Sequence, residues 1–174
     1  MNNYPKAYLD YLIQFHGTRD FFECHEIMEE HWKKDGYKKH WLALIQLAVA
    51  IYHERQKNIK GSLRLYRKVL THLRTDPSAI SNLSIDVEAL QNMIKMRIRN
   101  LLEEGPYEPI NLPITDDSLI IRCKELCTDN YVSWCTIEDL DNESLIFRHK
   151  LRDRSDVIQE RLASLKLKQT ERKE

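Results

Sequence analysis

Glycine and proline are scarce, 4 and 5 of 174 residues, which excludes collagen-like and low-complexity sequence and argues against a turn-rich β fold. The 4 cysteines, at positions 24, 123, 127 and 135, are too few for a disulfide framework and suit a reducing compartment, so the expected location is the cytoplasm. An excess of either charge is also missing: 27 basic side chains balance 27 acidic ones, and no global field draws the chain to nucleic acid or to an anionic membrane. The longest mostly apolar run, Trp41 to Tyr52, is broken by Gln46 and is too short to span a bilayer. The first residues, Met1 to Pro5, have no apolar signal core, so an unexported protein without a membrane role is expected.

Leu, Ile, Glu, Lys and Arg are abundant and recur at helical spacing, which predicts an all-α protein. The expected architecture is a helical bundle of about five main helices over residues 1–104, then an irregular, partly helical C-terminal extension over 105–174 with a terminal amphipathic helix. Pro5 opens the first helix, which Gly17 ends, and Thr18 or Asp20 caps a second that stops at Asp35-Gly36. The third, Lys38 to Gln56, is apolar almost all round and therefore central. Asn58 caps the fourth, in which Gly61 is expected to permit close approach to the third. After a loop containing Asp76-Pro77, a fifth runs from about Ser84 to Glu103 before Gly105-Pro106. Beyond it, a short helix is expected from Asp116 to Cys127, a strand or helical turn over Ser144 to Phe147, and a final helix from Ser155 or Asp156.

The stretch Phe21 to Trp32 concentrates the candidate chemistry. At about 100° per residue, Phe21, Cys24, Met28 and Trp32 form one apolar stripe. His25 lies at its edge with Glu29 one turn on and Glu26 beside it, while Glu23 and Glu30 point to solvent. Gln46 and His53 make a polar seam in the third helix, and buried polar groups need partners. The candidate polar cluster is therefore His25, Glu26, Glu29, Gln46 and His53, read first as a buried joint between two helices. His25, Glu29 and His53 are also candidate metal ligands, since imidazole and carboxylate at i and i+4 can converge on one ion with a third ligand from a second helix. The second histidine of His-Glu-x-x-His is missing, because His31 lies on another face. A carboxylate against Phe22 and Trp32 could act as a general base, but no nucleophile is placed beside it; Cys24 and His25 diverge by about 100°. No cofactor is identified.

Phe22-Glu23-x-His25-Glu26-x-Met28-Glu29-x-x-Trp32, followed by Leu44-Ile45-Gln46-Leu47-Ala48-Val49-x-x-Tyr52-His53 and Asn58-x-x-Gly61, resembles the domain-of-unknown-function family 309. The resemblance runs from about Tyr11 to Leu73, and the C-terminal part is similar to the longer members. It implies an all-helical bundle and no particular activity. One departure is Ala43, where the family pattern implies a glycine just before the Leu-Ile-Gln step.

Cys123-x-x-x-Cys127 with Cys135 and His149 lacks the usual two-residue zinc spacing and reads as reduced thiols. Lys60, Arg64, Arg67 and Lys68, and the basic run Arg148 to Arg154 broken by Asp153, read as solvated faces; nucleic-acid binding is not favoured. The third and fourth helices loosely resemble one tetratricopeptide unit, which suggests an interaction module with a protein partner or a second copy of the chain. A structural or interaction protein is thus expected ahead of a metal-dependent hydrolase-like enzyme. A sealed cluster would favour the first; a cluster lining a water-filled cleft would favour ligand or metal chemistry.

Overall fold

The computed structural model describes residues 3–151 and 159–163. Where the pattern gives about five main helices, ten helical segments run through residues 6–151, and no strand occurs among the described residues. They are α1 (Lys6–Ile13), a π-helical turn (Gln14–Thr18), α2 (Phe21–Lys34), α3 (Lys39–Arg55), α4 (Ile59–Thr75), α5 (Pro77–Ser81), α6 (Val87–Leu102), α7 (Asp117–Asp129), α8 (Glu143–Ile146) and α9 (Arg148–Leu151). Residues 159–163 are helical and exposed, and the rest of the expected final helix lies outside the described residues.

The caps explain where the helices begin. Asp20 accepts the Glu23 N–H at 2.9 Å and starts α2; Asn58 accepts the Gly61 N–H at 3.2 Å and starts α4; Asp116 accepts those of Ser118 and Leu119 and starts α7. The expected loop at Asp76-Pro77 is instead the short helix α5. Proline occupies its first position and Asp76 accepts the Ala79 N–H at 3.1 Å, a combination that nucleates helix as readily as a turn. α6 begins later than Ser84, which has a left-handed φ of 56°, beside an isolated antiparallel bridge between Ile85 and Ile114.

α3 lies between α2 and α4, and its Leu44, Leu47 and Ile51 are buried completely or nearly so. Its close contact with α4 is made at Ser62, whose hydroxyl donates to the Ala50 carbonyl at 2.9 Å. Gly61 has a different role from the one expected: a Cβ there would meet the Asn58 side chain at 2.6 Å, so this glycine makes room for its own helix cap rather than for α3.

The segment after α6 packs against the opening helices. Tyr4 donates to Asp116 at 2.8 Å, and Ile110, Leu112, Leu119 and Cys123 join the same apolar cluster as Tyr11 and Phe15. A Cβ on Gly17 would lie 2.7 Å from Val132 Cγ1, so glycine is what lets the chain after α7 approach the π-helical turn.

Candidate functional site

On α2 the buried stripe is Phe21, Cys24 and Met28, with Phe22 at 7% exposure. The Cys24 thiol donates to the Tyr11 carbonyl at 3.6 Å, and burial pushes its pKa up, as befits a core thiol. His25, at the edge of the stripe, is paired along its own helix: Nδ1 is 3.1 Å from Glu26 Oε1, and Nε2 is 2.9 Å from Glu29 Oε2. Glu29 also takes Lys33 at 2.6 Å. Its carboxyl is held below the usual range chiefly by that lysine hydrogen bond, with His25 adding to it and desolvation opposing.

The polar joint expected between this shoulder and α3 is not a hydrogen-bonded seam. Gln46 Oε1 is buried without a hydrogen-bond partner, and His53 Nδ1 accepts from Asn58 Nδ2 at 3.1 Å. His25 and His53 instead line one cavity of about 490 Å³. Phe21, Phe22, Val49 and Tyr52 supply its apolar and aromatic wall, and Gln56, Asn58, His149 and Lys150 complete it. Glu26 and Glu29 line a separate groove with Lys33 on the outer side of α2. Among the described residues no group of three or more His, Cys, Asp or Glu is arranged to hold a metal ion.

The roof of the cavity is α9, and it and the preceding α8 are held by contacts that local periodicity could not reveal. Gln56 Nε2 donates to the Ile146 carbonyl at 2.9 Å, the His149 N–H donates to Tyr52 Oη at 3.0 Å, and Arg148 pairs with Asp20. The His149 ring meets Phe22 edge-on, centroids 5.5 Å apart. His53 is held below the usual imidazole range by burial first, then by Arg64, His149 and Lys150.

A second polar cluster, at the C-terminal end of α3, is absent from the sequence reading. Glu54 accepts from Tyr66 Oη at 2.7 Å and pairs with Arg97 at 3.2 Å. Burial pushes its carboxyl up, against the pull of Tyr66 and Arg97. Arg55 Nη1 donates to the Arg19 carbonyl at 2.9 Å and lies 3.5 Å from Glu138, while its guanidinium stacks over Phe21 at 4.6 Å. Glu138 also accepts from Tyr107 Oη at 2.6 Å. The available signal was spacing: Glu54 and Arg55 follow Ile51 at i+3 and i+4, on the face that Leu44, Leu47 and Ile51 bury. Two further buried polar residues lie in the hinge before α2. Arg19, at a left-handed φ of 57°, donates to the carbonyls of Phe15, Ile110 and Thr136 and to Asn111 Oδ1. His16 lies between the Leu12 carbonyl and the Leu112 N–H, stacked on Trp134.

The candidate residues thus sort by position. His25 and His53 meet at the cavity, Glu26 and Glu29 hold His25 from outside it, and Gln46 stands apart. The expected thiols are all free, with Cys24, Cys123 and Cys127 buried and Cys135 exposed. No helix among the described residues is long and apolar enough to cross a membrane.

Comparison with known proteins agrees with the resemblance carried by α2, α3 and the start of α4. A family model described as "Domain of unknown function (DUF309)" matches residues 8–65. The chain is 43% identical over 161 residues to "Uncharacterized protein YpuF" of Bacillus subtilis (strain 168), covering 91% of this chain and 92% of that relative. No solved structure matches. A likeness that spans nearly the whole of both chains and includes the cavity-lining stretches of α2 and α3 shows that this chain belongs to the DUF309 family.

Proposed function

We propose that the protein is a non-catalytic helical binding module, with the cavity between α2, α3 and α9 as its binding site. One observation carries the reading. Phe22, His25, Val49, Tyr52, His53 and Asn58, which belong to the residues that mark the family resemblance, converge on one cavity of about 490 Å³, within the usual range for small-ligand sites. Met28, Leu44 and Leu47 of the same stretches are accounted for by core packing, whereas a partly buried histidine pair facing a void is not. A cluster that opens on a cavity favours ligand binding over a sealed structural joint.

Catalysis is the weaker reading because both His25 nitrogens already face carboxylates, which leaves neither free to shuttle a proton. The same pairing weakens the metal-dependent alternative on His25, Glu29 and His53, and purified protein is expected to carry substoichiometric metal. The first 104 residues and the extension act together in this reading, since the roof residues His149 and Lys150 come from the extension. A cytoplasmic location fits the four free thiols. A fragment screen followed by protein NMR tests the proposal. Hits should perturb Phe22, Val49 and Tyr52 and be lost in Val49→Trp, which fills the cavity; hits confined to other surfaces would sink it.

A further inference from the structure

The lining of the α2–α3–α9 cavity is one-sided in charge. It contains three histidines and one lysine, His25, His53, His149 and Lys150, and no carboxylate. The nearest acidic groups of α2, Glu26 and Glu29, face the separate outer groove and are engaged by His25 and Lys33. The charges acting on His53, namely Arg64 of α4 and His149 and Lys150 of α9, are all basic. Lys150 is the cation of this lining, and imidazoles from α2, α3 and α9 stand around the same void; with its Nδ1 accepting from Asn58, His53 carries its N–H at Nε2, a donor for an anion there. The remaining wall is aromatic, with Phe22 and Tyr52 lying 6.1 Å apart at 51°. Asn58 and Gln56 add neutral polar groups.

We propose that this cavity binds a small anionic ligand with a planar aromatic body, its ring against Phe22 and Tyr52 and its anionic group toward His53, His149 and Lys150. The inference rests on the binding-module reading and adds the chemical class of the ligand. Phosphate monoesters and carboxylic acids share this chemistry, since both are anionic at neutral pH. A volume of about 490 Å³ admits a single-ring or double-ring molecule and excludes a folded peptide.

Calorimetry and NMR with three probes test it: phenyl phosphate, benzyl alcohol as its neutral counterpart, and inorganic phosphate. Phenyl phosphate should bind with one-to-one stoichiometry, about tenfold or more tighter than either control, and should shift the Val49 methyl and Tyr52 ring signals. Lys150→Ala, at an exposed position whose loss leaves the core intact, should weaken it about three- to tenfold, and His53→Gln should do likewise. Equal binding of benzyl alcohol at the cavity would overturn the anionic assignment while leaving the binding module standing. Equal binding of inorganic phosphate would overturn the aromatic part. Shifts confined to the Lys60, Arg67 and Lys68 face, or affinity unchanged in Lys150→Ala, would overturn the site. Failure of all three probes to perturb the cavity, with fragments also silent there, would overturn the inference and the binding-module reading together.

Discussion

The Leu112 N–H donates to Nε2 of His16 at 3.0 Å, while Nδ1 of the same ring lies 3.0 Å from the Leu12 carbonyl. The ring thus bridges the first helix and the segment after α6 as a neutral tautomer, with Nδ1 the donor and Nε2 the acceptor. A proton added at Nε2 would oppose the Leu112 N–H. Burial, against the Leu12 hydrogen bond and aided by Arg19, lowers the His16 pKa from 6.5 to about 4.

Because the folded pKa lies below the unfolded one, the unfolded chain binds the extra proton between them. The contribution of His16 is complete above pH 6.5 and is lost as pH falls to about 4. At about 1.4 kcal/mol per unit, the loss amounts to ~3 kcal/mol. Urea melts between pH 7.5 and 4.5 check the fall in stability, and an NMR titration of the His16 ring should give a midpoint near 4; a midpoint above 6 would refute the buried neutral bridge.

The Arg55–Glu138–Tyr107 chain ties the end of α3 to the extension, with the Arg55 and Glu138 side chains buried and Tyr107 half-buried. Removing one member leaves a charge without its counterpart, which costs about 3–5 kcal/mol, so Glu138→Ala should be severely destabilising. Tyr107→Phe removes only a hydroxyl and should cost about 1–3 kcal/mol. Equilibrium denaturation of both variants gives the comparison. A Glu138→Ala loss under 1 kcal/mol would show that the network contributes little.

Gly17→Ala should destabilise by about 1–3 kcal/mol, since the new methyl would stand 2.7 Å from Val132 Cγ1. Val132→Ala should restore part of that loss in the double variant, because it removes the colliding atom. Additive losses in the thermal melts would place the clash elsewhere.

The His25 pairs lie on a partly exposed helix surface, so His25→Gln and Glu29→Gln should each change stability by about 0.5 kcal/mol or less. A sealed joint would lose several times that. Chemical denaturation distinguishes the two, and a loss above 2 kcal/mol would return these residues to a core role.

Thiol titration offers a further check. In the native protein Cys135 should react rapidly with an aromatic disulfide reagent, whereas Cys24, Cys123 and Cys127 should react only after unfolding. Burial raises the Cys123 thiol to about 12, removing thiolate as well as access. Fast modification of more than one thiol in the folded state would contradict this packing.

The sequence alone determined the all-α class and where α2, α4 and α7 start. Asp20, Asn58 and Asp116 stand where their side chains reach N–H groups two or three residues on, and the 3.6-residue period marked the buried stripe of α2 and the central place of α3. These signals act within a turn or two, so a linear reading can see them. It could also see that His25 lies at the edge of the stripe, but not whether that edge met a seam or a void. Tertiary structure decided that question. α9 lies more than 90 residues beyond Tyr52 in sequence, and its His149 and Lys150 reach the cavity through contacts that leave no local pattern. Glu54 finds Arg97, and Arg55 finds Glu138, for the same reason: burial forces charged groups to pair, but only the packed chain selects the partner.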